Sequence, residues 1–375
     1  MNGSIRVGNL FGIPFYVHPS WFLVLTLMTF WYGGDLAAIF PAWGGGLSLL
    51  LGLVAALLLF ASVLAHELGH SFVAKWQGVE VDSITLFLFG GLAALEKESK
   101  SPAEAFWVAI AGPAVSLLLF ALFTVIGIST GISGPLAAIV SLLAYINLIL
   151  ALFNLIPGLP LDGGNILKSA VWKITGNPYK GVIFASRVGQ FLGWFGIILG
   201  LLSVFGISRI GSFWTLLIGW FLLQNAGRSA QSATIQNKLT TFTAEDAVVP
   251  DSPIVSADLS LREFANNYII GSKQEWRKFL VTDEQGQLLG AIAVEGMKDV
   301  PTSDWNTTTV KELMQPVDRS TTVDAEQSLL DVVMRLEQEE LTQLPVIRDN
   351  GVVVGILEKA SIIRLLEQQA QANLA

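Results

Sequence analysis

Residues 47–70 read LSLLLGLVAALLLFASVLAHELGH, from Leu47 to His70, an apolar run that meets no charge until Glu67. Its length suits the roughly 20 residues a helix needs to cross a hydrocarbon layer. The run closes on His66-Glu67-Leu68-Gly69-His70, an H-E-x-x-H pattern. On a helix His66 and His70 leave the same face one turn apart, so two neutral imidazole nitrogens can bind one zinc ion. Glu67 stands beside them to take a proton from water. A purely structural reading would pack one histidine in the helix and let Glu67 cap or snorkel. Two of the chain's three histidines fall here, however, and ionisable groups in a membrane-length helix are costly unless they face a polar site. The functional reading is preferred.

The 375-residue chain is 52% hydrophobic and 14% charged, with a mean hydropathy of +0.59. That balance predicts a membrane protein. The absence of cysteine excludes disulfides and thiolate ligands, and leaves His, Asp and Glu to hold a metal. The net charge of −8 hides two unlike parts: residues 1–240 hold 11 basic and 8 acidic side chains, residues 241–375 hold 11 and 22. An acidic second part argues against nucleic-acid binding.

Met1 to Tyr16 carries one charged side chain, Arg6, and three glycines, and neither a cleavable signal nor a transit peptide is expected. His18-Pro19-Ser20 signals a helix start. His18 is weighed as a further metal ligand and as a hydrogen-bonded interfacial anchor, the second being preferred. Hydropathy predicts six spans, at about 19–40, 47–74, 104–128, 135–156, 182–206 and 210–227. Gly33-Gly34-Asp35 suggests that the first ends in a loop or re-entrant segment. Alternating topology puts Arg6, Lys75, Lys97, Lys100, Lys168, Lys173, Lys180, Arg187 and Arg228 on one side and Arg209 alone on the other. The positive-inside rule then makes the N-terminus and the C-terminal region cytoplasmic, in a multi-pass protein of the cell membrane.

Between the second and third spans, residues 79–95 alternate and carry Gly90-Gly91, which predicts a β-hairpin or bent strand. An exposed strand edge there could pair with an extended substrate backbone. A plain connecting hairpin stands equal beside that reading. Ala111-Gly112-Pro113 interrupts the third span, where small residues permit close helix approach. The fourth ends in Asn154-Leu155-Ile156-Pro157-Gly158-Leu159-Pro160-Leu161-Asp162-Gly163-Gly164, a break at membrane depth that only a cavity or protein packing tolerates. Asp162 is the sole carboxylate between Glu104 and Glu245, and is preferred as third metal ligand over an ordinary turn aspartate. Asn154 either donates to a developing oxyanion, the reading preferred, or caps the broken helix.

Together these motifs resemble the site-2 protease family of intramembrane zinc metalloproteases, over roughly residues 1–230. The resemblance implies that His66, His70 and Asp162 bind one Zn2+ and that Glu67 is the catalytic acid/base. It implies further that Asn154 touches substrate or oxyanion, beside the Gly90-Gly91 hairpin, and that membrane-spanning regulatory proteins are cleaved. After Gly112-Pro113 many relatives carry an asparagine where this chain has Ser116. No PDZ-like insertion is present, which suggests the branch with a C-terminal regulatory domain.

After a polar linker, about 231–243, two similar units follow at about 244–306 and 307–372. The first runs from Ser252-Pro253-Ile254-Val255 through a helix pattern at Leu261–Ile269 to Phe279–Asp283 and Gly286–Ala293. The second runs from Leu313-Met314-Gln315-Pro316 through Leu329–Leu336 to Leu344–Ile347 and Gly351–Leu357. The repeat resembles a tandem CBS pair, an α/β module that often binds adenine nucleotides. That family's nucleotide pattern falls on Ala293 and Gly296 in one unit and Glu358 and Ser361 in the other, with no aspartate for the ribose. Weak or absent ATP and AMP binding is expected, with the pair acting in homodimerisation or docking.

The fold class expected is a polytopic α-helical membrane protein with about six transmembrane helices and a small β-hairpin or sheet, followed by an α/β tandem CBS domain. The function expected is an intramembrane zinc endopeptidase acting on membrane-spanning or membrane-associated proteins in the lipid bilayer. A CBS-regulated transporter or channel is the alternative. It does not explain why Glu67 lies between two histidines at metal spacing.

Overall fold

The computed structural model describes residues 3–88, 90–97, 99–270 and 276–372. The chain divides into two compact units, Met1–Thr234 and Ile235–Ala375.

In the first unit β1 (Ile5–Leu10) and β2 (Ile13–Val17) pair antiparallel, and α1 (Pro19–Ile39) follows. His18 is its N-cap: the Ser20 N–H donates to His18 Nδ1 at 3.2 Å. α1 continues through Gly33-Gly34-Asp35, contrary to the expected loop. Its glycine serves a helix crossing instead. A Cβ on Gly52 of α2 (Gly44–Trp76) would stand 2.5 Å from the Gly33 nitrogen, so the two backbones meet where neither residue has a side chain.

β3 (Val81–Phe87) and β4 (Gly90–Leu95) form the expected hairpin, with Leu86 opposite Gly91 and Ile84 opposite Ala93. Gly90 takes a φ of 137°, a conformation that favours glycine. Phe89 lies outside the described residues. The sheet runs β1-β2-β3-β4, which leaves β4 at an edge. Ile13, Val79, Val81 and Ile84 bury with Ala74, and this small core fastens the sheet to the end of α2.

α3 (Pro102–Ser129) and α4 (Gly134–Asn154) complete the apolar set with α6 (Pro178–Val204). Among the described residues five helices are long and apolar enough to cross a membrane: α1, α2, α3, α4 and α6. The sixth expected span falls on α7 (Phe213–Leu239), which does not reach that standard because its apolar run ends at Leu223, before Gln224-Asn225. Between α4 and α6 lies α5 (Asp162–Thr175), not foreseen as a helix. It starts tucked beneath the Pro/Gly-rich loop: a Cβ on Gly163 would strike the Leu155 and Ile156 carbonyls, and one on Gly164 the backbone of Gly158 and Leu159. That loop is held in turn by α6, where the Leu159 N–H donates to the Ala185 carbonyl at 3.2 Å.

The second unit is built twice. β5 (Ile254–Ser256) lies parallel to β6 (Lys278–Thr282), which pairs antiparallel with β7 (Leu288–Ala293); α8 (Leu261–Phe264) starts the intervening helical stretch. α9 (Val310–Leu313) and the short β8 (Gln315–Pro316) lead onward, β8 pairing with β7. The order then repeats: β9 (Val323–Asp324) is parallel to β10 (Gln343–Ile347), β10 antiparallel to β11 (Val353–Glu358), with α10 (Leu329–Gln338) between. α11 (Lys359–Ala372) closes the unit. Phe264 and Phe279 meet edge to face at 4.9 Å in the core of the first repeat. Ser361, one of the expected nucleotide positions, is engaged within the fold: its hydroxyl donates to the Ala247 carbonyl (2.6 Å) or the Glu358 carbonyl (2.8 Å).

Candidate metal centre

α2 delivers His66 and His70 from one face, and α5 delivers Asp162 from its first turn, where a carboxylate also suits the positive end of the helix. His66 Nε2 lies 3.0 Å from Asp162 Oδ2, His70 Nε2 lies 3.3 Å from that same oxygen, and the two Nε2 atoms are 3.3 Å apart. A tetrahedral zinc with ligands at about 2.0–2.1 Å would hold its donor atoms about 3.3–3.4 Å from one another. The donor triangle fits that ion. It is also the one group of three or more His, Asp or Glu side chains with converging ligand atoms among the described residues.

The far side of each imidazole is tied down by α3. His70 Nδ1 donates to the Val108 carbonyl at 2.7 Å, which places the ring proton on Nδ1 and leaves Nε2 as a lone-pair donor. His66 Nδ1 lies 2.9 Å from the Ser116 hydroxyl, and Ser116 is fully buried. Here the asparagine-to-serine departure finds its physical content: the residue at 116 partners the His66 imidazole. Gly112, one turn before Ser116, faces the same point. A Cβ on it would lie 2.7 Å from His66 Nε2 and would also strike His70 Nε2. Gly69 lets the two helices approach, since a Cβ there would stand 2.8 Å from Val115 Cγ2 and 3.0 Å from the Ala111 carbonyl oxygen.

Glu67 turns toward β4. The Ala93 N–H donates to its carboxylate, and a Cβ on Gly91 would lie 2.9 Å from Glu67 Oε1. Because Ala93 donates to Glu67, the outward edge of β4 faces the site. His66, Glu67, His70 and Asp162 line a cavity of about 360 Å³, with Gly91 and Ala93 on one wall and Asn154 on another. Asn154 donates through Nδ2 to the Leu150 carbonyl at 3.0 Å, which uses one of its two amide hydrogens.

The structure thus brings together His66, Glu67, His70, Asp162, Asn154 and Gly91. Gly90 sits at the hairpin bend, and His18 stays at the start of α1. Reading the sequence missed the roles of Val108, Gly112 and Ser116. The four-residue spacing of Gly112 and Ser116 was the available signal for the latter two, as it places both on one helix face.

Residues 54–133 and 129–196 match peptidase family M50, and residues 310–368 match the CBS domain. The chain is 61% identical over 370 residues to sll0528 of Synechocystis sp., named a zinc metalloprotease, covering 99% of this chain and 97% of that protein. It is 28% identical over 369 residues to zinc metalloprotease MJ0392 of Methanocaldococcus jannaschii, covering 98% and 97%. Among solved structures it is similar to the site-2 protease from Methanocaldococcus jannaschii, at 29% identity and a TM-score of 0.43, over 60% of this chain and 95% of that one. The chain belongs to peptidase family M50, the site-2 protease family, and carries a C-terminal CBS domain.

Proposed function

We propose that the chain is an intramembrane zinc endopeptidase that cuts transmembrane or membrane-associated regulatory proteins. The observation that carries this reading is the convergence of His66 Nε2, His70 Nε2 and Asp162 Oδ2 within 3.3 Å, with Glu67 in the same cavity. His66, His70 and Asp162 would hold one zinc, whose Lewis acidity would lower the pKa of a water toward about 7. Glu67 takes the proton of the attacking water and delivers it to the leaving amine. The Ala93 N–H orients that carboxylate. Asn154, which lines the same cavity, would use its remaining amide hydrogen to bond the oxygen of the scissile carbonyl as it gains charge. The edge of β4 supports a substrate held as an added strand, and a transmembrane helix must unwind before it can pair there.

In this reading residues 1–230 form the protease domain, 231–243 a linker, and 244–372 a tandem CBS unit that modulates activity. The protein is multi-pass in the cell membrane, with the N-terminus and CBS unit cytoplasmic, in keeping with the distribution of basic residues. The CBS unit works through homodimerisation or protein contact, with weak or absent adenine-nucleotide binding, because Gly296 and Ser361 offer no ribose carboxylate. Metal analysis of the purified protein tests the site: wild type should carry one zinc per chain and His66→Ala should carry none. Equal zinc in both would overturn the ligand assignment.

A further inference from the structure

Asn147 lies on α4, seven residues before Asn154, and is fully buried. Its Nδ2 donates to the Ser62 hydroxyl oxygen of α2 at 3.0 Å and to the Leu143 carbonyl at 2.9 Å. The Leu143 contact sets the orientation of the amide, since the flipped form would press oxygen against oxygen. Both Nδ2 hydrogens are therefore used, and Oδ1 has no partner among the described residues. An unpaired acceptor in an apolar bundle is costly, and a leucine of similar volume would remove that cost. Stability alone does not account for an asparagine here.

Its position does. Ser62–Asn147 is the side-chain hydrogen bond that joins α2 to α4 among the described residues. On α2, Ser62, His66 and His70 follow at four-residue spacing and share a face. α4 leads from Asn147 to Asn154 and through the 155–161 loop to Asp162. Two of the converging donors hang from α2 and the third follows α4, so any slide between these helices changes the triangle. Apolar faces in lipid resist sliding weakly, whereas a hydrogen bond is directional.

We infer that Asn147 is a positioning residue for the metal centre: by holding Ser62 it fixes the register of α2 against α4, one turn from His66. The inference rests on the reading of His66, His70 and Asp162 as zinc ligands. It is tested on the full chain in detergent by zinc affinity from chelator competition, the absorption spectrum of the cobalt(II) form, and the thermal midpoint. Asn147→Leu should bind zinc at least about tenfold more weakly, with an altered cobalt spectrum and a thermal midpoint equal to or above wild type. Ser62→Ala should loosen the metal in the same way, and serves if Asn147→Leu does not fold. The exchange variant Ser62→Asn/Asn147→Ser rebuilds the bond in reverse and should recover most of the affinity. Unchanged affinity and cobalt spectrum in Asn147→Leu or Ser62→Ala would overturn the inference while leaving the ligand reading intact. A wild-type protein that holds no zinc would overturn both.

Discussion

Asp162 Oδ2 stands 3.0 Å from His66 Nε2 although 96 residues separate them. The contact depends on Gly112, because a Cβ at that position would enter the space shared by His66 and His70. Gly112→Ala is expected to lose zinc while remaining folded. The alanine even favours the helix by about 1 kcal/mol, so unfolding is not the expected route. Metal content and circular dichroism on the same sample check this: full zinc occupancy would show that the imidazoles can move aside.

If His66 ligates zinc as proposed, Ser116 acts on the metal through it. Removing such a partner costs about 10–100-fold in metal affinity, so Ser116→Ala should weaken zinc binding by that order. Ser116→Asn supplies another polar partner and should lose less. Chelator competition ranks the three proteins, and an affinity unchanged in Ser116→Ala would reduce the contact to packing.

Substrate unwinding gives a third expectation. A transmembrane segment pairs its own amides, and glycine weakens a helix by about 1 kcal/mol per residue relative to alanine. In reconstituted vesicles, replacing glycine, proline or asparagine near the cut site with alanine or leucine should slow cleavage. Equal rates would mean that unwinding does not limit the reaction.

In the second unit the two capping boxes are sensitive to acid. The Ser260 hydroxyl and backbone N–H bond the Glu263 carboxylate, and the Thr309 backbone N–H and hydroxyl bond that of Glu312. Both carboxyls are thereby held below their ordinary value of 4.5. A depressed pKa in the folded state contributes stability that is complete above the unfolded value and is lost as pH falls through the folded one. The thermal midpoint of this unit should therefore drop as pH falls below 4.5, and Glu263→Gln/Glu312→Gln should show a shallower drop. Parallel curves for the two proteins would remove the boxes as the cause.

That His66 and His70 share one helix face with Glu67 beside them was legible in the sequence, because any helix supplies that local spacing. The approach of Asp162 to them was legible for another reason, since it is the lone carboxylate in a long apolar region. Val108 could not be read, because it acts through a carbonyl that every residue carries. Ser116 acts only once α3 has packed on α2. Gly33 was misread for the same tertiary reason: its lack of a side chain serves the crossing with Gly52 and does not end α1. The β1–β2 hairpin escaped notice because β1 is largely exposed and shows no clean alternation. The sixth expected span falls on an apolar stretch that stops at Leu223, and the more polar remainder of α7 dilutes its signal.

In the proposed mechanism Glu67 moves protons and does not hold the metal. Its test is to measure zinc content and cleavage of a transmembrane substrate together in Glu67→Gln, reconstituted in lipid vesicles. The amide keeps the shape of the side chain but cannot accept the proton, so zinc should stay at one per chain while cleavage falls by about 10²–10⁴-fold or more. Cleavage at the wild-type rate with zinc in place would contradict the account.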